Sequence, residues 1–134
     1  MKKIYLASPF FNQEERQNVQ KVAKLLRDRG FDVYVPMEHE IKNGWELPNN
    51  TWANQVFVDD VTAIRNCDYV VAITYGMKDD AGTAWEVGFA YGIKKPVFTI
   101  PVNKTTYSLM VYQSIVGCFT LDYEPLCQEE ILQS

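Results

Sequence analysis

Residues 69–73 read Tyr-Val-Val-Ala-Ile, an apolar run with no polar alternation, entered through Asp68 and left through Thr74. A strand apolar toward both faces belongs inside a sheet covered on both sides, the usual condition of a parallel sheet. Beyond the loop Tyr75 to Gly82, Thr83 to Ile93 keeps a helical pattern that is apolar nearly all round and ends at Lys94-Lys95-Pro96. Cations suit a helix C-terminus and proline blocks extension, so a buried helix stopping there is expected. Pro96 to Pro101 is the next strand. Strand, helix, strand defines a βαβ unit, and the rest of the chain repeats the pattern.

Toward the N-terminus, Lys3 to Ala7 is a β-rich run closed by Ser8-Pro9. Asn12 with Glu15 makes a capping box, Val19, Val22, Ala23 and Leu26 form an apolar stripe, and Gly30 stops the helix. Phe31 to Val35 is a second strand, ended by Pro36. Met37 to Asn50 has no period and reads as a long surface loop. A second helix is expected from Thr51 to Asn66, a short one from Ser108 to Val116, and a fifth strand from Cys118 to Leu121. The order βαβαβαβαβ predicts a single doubly wound α/β domain over residues 1–134, flavodoxin-like or Rossmann-like, with a five-stranded mostly parallel sheet and helices on both faces. Ligands of such sheets bind beyond the C-terminal strand ends, here Ser8 to Phe11, Pro36 to Glu40, Thr74 to Gly82 and Pro101 to Ser108.

Composition narrows the partners. The chain has 134 residues, 47% hydrophobic and 22% charged, and is long enough to bury about 68% of its unfolded surface. A net charge of −4 supplies no basic footprint, so a small molecule is expected in preference to nucleic acid or an anionic membrane. The longest apolar runs are strand-sized, and Ile4 to Ala7 is too short for a signal peptide, so a cytoplasmic protein is expected. Cys67, Cys118 and Cys127 show no CxxC or Cys/His metal spacing and read as reduced core thiols.

No GxGxxG follows the first strand and no GxxxxGK[ST] occurs, which removes the usual dinucleotide and nucleotide-triphosphate readings. Two carboxylates are out of place. Glu86 shares a helix face with Phe89, Ala90 and Ile93; it is either an acid near the helix N-terminus or a nucleophile or base held in a cleft. Asp60 falls within the inward stripe Val56, Ala63, Ile64 and Cys67, whereas Asp59 shares its face with Trp52, Gln55, Thr62 and Asn66. An unpaired buried carboxylate is costly, so Asp60 should line a polar cavity, be protonated, or cap a neighbouring loop. In Asp79-Asp80-Ala81-Gly82-Thr83, Gly82 permits close approach and Asp80 either joins the acids or caps the helix. Tyr5 can aim a phenol at the same cleft, and Phe10 and Phe11 can stack a flat ring; each is also an ordinary core residue. His39 is the only histidine, which excludes a histidine pair for metal. Paired carboxylates with a tyrosine and aromatic walls are the toolkit of glycosidic bond cleavage.

Ile4-Tyr5-Leu6-Ala7-Ser8-Pro9-Phe10-Phe11, the stretch Asp60 to Asp68, and above all Asp80-Ala81-Gly82-Thr83-Ala84-Trp85-Glu86-Val87-Gly88-Phe89-Ala90 resemble the nucleoside 2-deoxyribosyltransferases, over about residues 3–116. The resemblance implies a transferase that exchanges the base of a 2′-deoxynucleoside through a covalent 2-deoxyribosyl-enzyme, with no metal or organic cofactor and with dimers or hexamers as the assembly. Glu86 would attack C1′, Asp60 would serve the leaving base, Tyr5 would orient Glu86, Phe10 and Phe11 would flank the base, and Asp80 would accept from the 5′-hydroxyl. Glu86 is expected to stay ionised near its helix N-terminus. Where many members offer Asn to the 5′-hydroxyl, this chain has Tyr107-Ser108-Leu109-Met110, so Ser108 is the expected substitute, with Met110 beside it. The tail Leu121 to Ser134 departs from the short family ending, and Glu38, His39 and Glu40 receive no role. Two alternatives stand beside the transferase: a 2′-deoxynucleoside 5′-monophosphate N-glycosidase and a non-catalytic nucleoside-binding module. Asp80 favours free nucleosides, because a carboxylate welcomes a hydroxyl and repels a phosphate, and only Lys78 and Lys104 lie near in sequence.

Overall fold

A computed structural model describes residues 1–40, 49–76, 80–102 and 108–126. The pleat of β1 (Lys3–Ala7) sets the layers. Ile4 and Leu6 point to one face, where α1 (Gln13–Asp28) covers them with Val19, Val22, Ala23 and Leu26. Tyr5 and Ala7 point to the other, beneath Ile64 and Cys67 of α2 (Asn49–Asn66) and Val87 and Ala90 of α3 (Ala81–Gly92). Successive residues of one strand thus seed both cores, as period-two geometry requires.

The remaining strands are β2 (Asp32–Tyr34), β3 (Tyr69–Thr74), β4 (Val97–Pro101), β5 (Gly117–Phe119) and β6 (Pro125–Leu126), and α4 (Leu109–Gln113) joins β4 to β5. The sheet order is β2-β1-β3-β4-β5-β6, parallel throughout except for the last pair. Tyr5 lies opposite Tyr34 on one side and Val70 on the other. The chain leaves β1 toward β2 and returns on its other side as β3, which makes the C-terminal end of β1 the topological switch point.

The doubly wound α/β fold is therefore as expected, with six strands among the described residues in place of five. The sixth comes from the tail: Tyr123 adopts φ 66° in a turn closed by the Thr120 N–H to Glu124 carbonyl bond, and the chain folds back as an edge strand where Pro125 is tolerated. Part of the expected long loop is a 3-10 turn over Pro36–His39, and α2 starts two residues earlier than its period suggested. Residues 41–48 of that loop, with Lys78, Asp79, Lys104, Tyr107 and Cys127, lie outside the described residues. Cys67 and Cys118 are buried thiols that donate to the Ile64 and Leu126 carbonyls. Among the described residues no helix is long and apolar enough to cross a membrane.

The caps orient the loops of interest. Asn12 accepts from the Glu15 N–H at 2.8 Å, as the capping box predicts, but Glu15 reaches back to the Phe11 N–H, also at 2.8 Å, one residue upstream of the cap. That bond ties the Phe10–Phe11 turn to α1. In α3 the cap is Asp80, whose Oδ2 accepts from the Thr83 N–H at 2.9 Å and the Thr83 hydroxyl at 3.2 Å, so the helix begins at Ala81 and not at Thr83. Asp80→Ala should cost about 1 kcal/mol, read as a lowered thermal midpoint, with Asp80→Asn nearly neutral. An unchanged midpoint in the alanine variant would show the cap to be idle.

The expectation that α3 is buried all round is corrected. Only Thr83, Val87 and Ala90 are fully buried, while Trp85 is 49% and Tyr91 62% exposed. The helix covers the sheet with one face. Its outer aromatics pack on each other instead, Trp85 stacking on Phe89 at 5.3 Å and meeting Phe57 of α2 at 5.5 Å.

Candidate active site

The switch point opens into a cleft of about 610 Å³ between the β1 loop and the facing sides of α2 and α3. Asp60, Asp80, Gly82 and Glu86 line it together with Phe10 and Phe11, so the structure gathers residues separated by most of the sequence. Tyr5, fully buried at the cleft floor, donates a hydrogen bond from its hydroxyl to Glu86 Oε2. The charge of Asp60 also acts on this phenol, so one hydroxyl sits under the influence of two carboxyl groups.

The electrostatics correct one expectation. Glu86 occupies the sixth position of α3, beyond the first turn, where the helix dipole has faded, and the cap site at the N-terminus is already filled by Asp80. Burial dominates, and with the charges of Asp60 and Asp80 it lifts Glu86 to about 8 against the lowering bond from Tyr5. Glu86 is thus largely protonated in the free protein at neutral pH, contrary to the reading from helix position. Asp60 is raised to about 6 by burial and by Asp59, while the charge of His39 and the Tyr5 hydroxyl pull it down. Burial and then the two acids push Tyr5 upward, so it remains a neutral donor.

Asp80 combines its alternatives, capping α3 through Oδ2 while facing the cleft. Gly82 is needed for that arrangement: a Cβ there would sit 3.0 Å from Asp80 Oδ2, and the neighbour is a carboxylate fixed by two bonds. Phe10 and Phe11 stack at 6.4 Å, with the Arg16 guanidinium 5.5 Å above Phe10 and Phe11 80% exposed at the mouth. Asp59 accepts from Gln55 at 2.8 Å and lies outside the cleft lining, as the helical period indicated. Ser108 and Met110 are not brought to the cleft. Ser108 caps the short α4 without a side-chain bond, and Met110 is 75% exposed, because α4 turns Val111 and Tyr112 inward.

Sequence reading missed Trp52, Phe57 and Trp85, which complete the aromatic walls. Trp52 had been placed on the face of Asp59, yet Trp52, Val56 and Asp60 run at i, i+4, i+8 and all line the cleft. That spacing was the available signal. No lysine or arginine occurs among the described lining residues.

The cleft thus gathers two acids and aromatic walls beside a buried phenol, and comparison with known proteins identifies the family of the chain. The sequence model of the nucleoside 2-deoxyribosyltransferase family matches residues 4–123, and the chain belongs to that family. It is similar to the nucleoside deoxyribosyltransferase of Limosilactobacillus fermentum, 27% identical over 111 residues, covering 76% of this chain and 66% of the relative's length. A solved 2-deoxyribosyltransferase from the psychrotolerant bacterium Bacillus psychrosaccharolyticus is 34% identical, with TM-score 0.82, covering 93% of this chain and 99% of that one. Two more distant structures share the fold. One is a conserved protein from Enterococcus faecalis V583, at 22% identity and TM-score 0.70, covering 99% of this chain and 98% of that one. The other is a CMP N-glycosidase from Clostridium botulinum, at 19% and 0.58, covering 98% and 96%.

Proposed function

We propose that the chain is a nucleoside 2-deoxyribosyltransferase that exchanges bases through a 2-deoxyribosyl–Glu86 ester. The observation that carries this reading is the Tyr5 hydroxyl bonded to Glu86, with Asp60 beside Glu86 in the same aromatic-walled cleft. In the first half-reaction a Glu86 carboxylate oxygen bonds to C1′ as the C1′–N bond breaks, and Asp60 gives a proton to the departing base. In the second, the incoming base nitrogen bonds to C1′, the ester C1′–O bond breaks, and the acceptor's proton returns to Asp60. Ping-pong kinetics follow. Phe10, Phe11, Trp52 and Trp85 offer ring faces to base and sugar.

The pair works with one proton. Burial favours it on Glu86 in the free protein, and the reaction uses the form in which Asp60 holds it while Tyr5 donates its hydrogen bond to an ionised Glu86. That leaves Glu86 nucleophilic and Asp60 acidic. The rate should therefore follow a bell between about 6 and about 8, falling below as both acids protonate and above as both ionise. Tyr5→Phe keeps the ring but removes the bond that lowers Glu86, so the upper limb moves up and turnover at neutral pH falls about 10–100-fold. An unshifted profile in that variant would remove Tyr5 from the mechanism.

Free nucleosides are favoured over 5′-monophosphates. Three carboxyl groups face the cleft and no described cation does, which suits a 5′-hydroxyl and disfavours a phosphate dianion. Chromatography after incubation with 2′-deoxyinosine, with and without adenine, tests the reading, alongside thymidine and 2′-deoxyinosine 5′-monophosphate. 2′-Deoxyadenosine formed only with adenine supports exchange. Hypoxanthine released from the monophosphate alone supports the glycosidase, and silence with every donor supports a binding module.

A further inference from the structure

The turn after β2 carries a histidine for which the mechanism so far has no use. His39 lies flat on Tyr34, with ring centroids 4.3 Å apart and planes 3° from parallel. Tyr34 stacks in turn on Tyr5, at 5.7 Å and 13°. Three rings thus run as a column from the exposed 3-10 turn to the phenol at the cleft floor. Tyr34, His39 and Asp59 line a separate groove of about 650 Å³ beside β2, whereas Asp60, the next residue of α2, lines the cleft. The imidazole therefore meets solvent without entering the substrate site.

We propose that His39 is a positioning residue for Glu86, its ring stacked on Tyr34 and through it holding the Tyr5 phenol against the Glu86 carboxyl. The inference rests on the transferase reading for its effect on turnover, but not for its structural content. The groups facing His39 are arranged to make it specific. On its own turn, Glu38 is paired with Arg27 of α1 at 2.6 Å and Glu40 with Arg16 of α1 at 2.8 Å. From α2, Asp59 accepts from Gln55 and Asp60 faces the phenol. From the sheet, Lys3, Asp32 and Tyr34 border the same groove. The neighbouring acids of the turn are thus engaged by arginines, and His39 meets Tyr34 through its ring face. A ring stack also suits the task mechanically, since parallel aromatics resist tilting of the phenol.

Two variants separate the ring from the rest of the side chain. His39→Phe keeps a flat ring on Tyr34, whereas His39→Ala removes it. Carbon-13 NMR of the tyrosine rings in the ligand-free protein would follow Tyr34 and Tyr5, and base exchange would be measured in parallel. His39→Ala should shift the ring resonances of both tyrosines and lose several-fold in kcat with little change in KM, and His39→Phe should recover most of both changes. Unmoved Tyr5 resonances or wild-type kcat in His39→Ala would overturn the proposal. Absence of exchange by the wild type with every donor would defeat the transferase reading instead, because the ring resonances need no substrate.

Discussion

Glu86→Ala should lower base exchange by at least about 10³-fold and leave the fold intact, because in the proposed mechanism it removes the atom that bonds to C1′. The fold survives because Glu86 is not part of the core: its polar partner is Tyr5, and the cleft beside it is already open. The carboxyl is in fact a liability to stability. Its folded value of about 8 lies above the ordinary carboxyl range, so its contribution is fully present in acid and is lost as pH rises toward 8. Glu86→Gln should therefore be more stable than the wild type at pH 8, by about 4 kcal/mol, and nearly equal to it at pH 4. An inactive variant with a raised denaturation midpoint at pH 8 is the expected result; retention of substantial exchange would remove Glu86 as nucleophile.

Asp60→Asn should cost about 10²–10⁴-fold in kcat while changing KM little, because the amide fills the same space on α2 but has no proton to give the departing base. The loss should be largest for bases that leave poorly and smallest for those that depart as stable anions. The bell-shaped profile should lose its upper limb, since the variant no longer has a second acid to ionise. Equal losses for every base, or a change confined to KM, would assign Asp60 to binding alone.

Much of this was legible in the chain. The apolar run of β3 and the capping signals of α1 define a parallel sheet with helices on both sides, and the inward stripe of α2 separates Asp60 from Asp59 by helical period alone. Periodicity could not reveal the outer face of α3, because Trp85, Phe89 and Phe57 hide apolar area against one another and so read as core. The sixth strand was silent for a similar reason: a two-residue edge strand beginning with proline has no period to detect. The protonation of Glu86 was misread because helix position was weighed without burial. Distance from the first turn and two neighbouring acids are tertiary facts, and they outweigh the dipole. The cap of Asp80 and its place in the cleft were offered as alternatives, whereas one carboxylate with two oxygens does both.

The covalent step is the centre of the account. Protein mixed with 2′-deoxyinosine and quenched in acid, then digested and analysed by mass spectrometry, should show one 2-deoxyribosyl group on the peptide containing Glu86, absent when adenine is added before the quench. A persistent lack of adduct while exchange proceeds, or an adduct located on another residue, would contradict it.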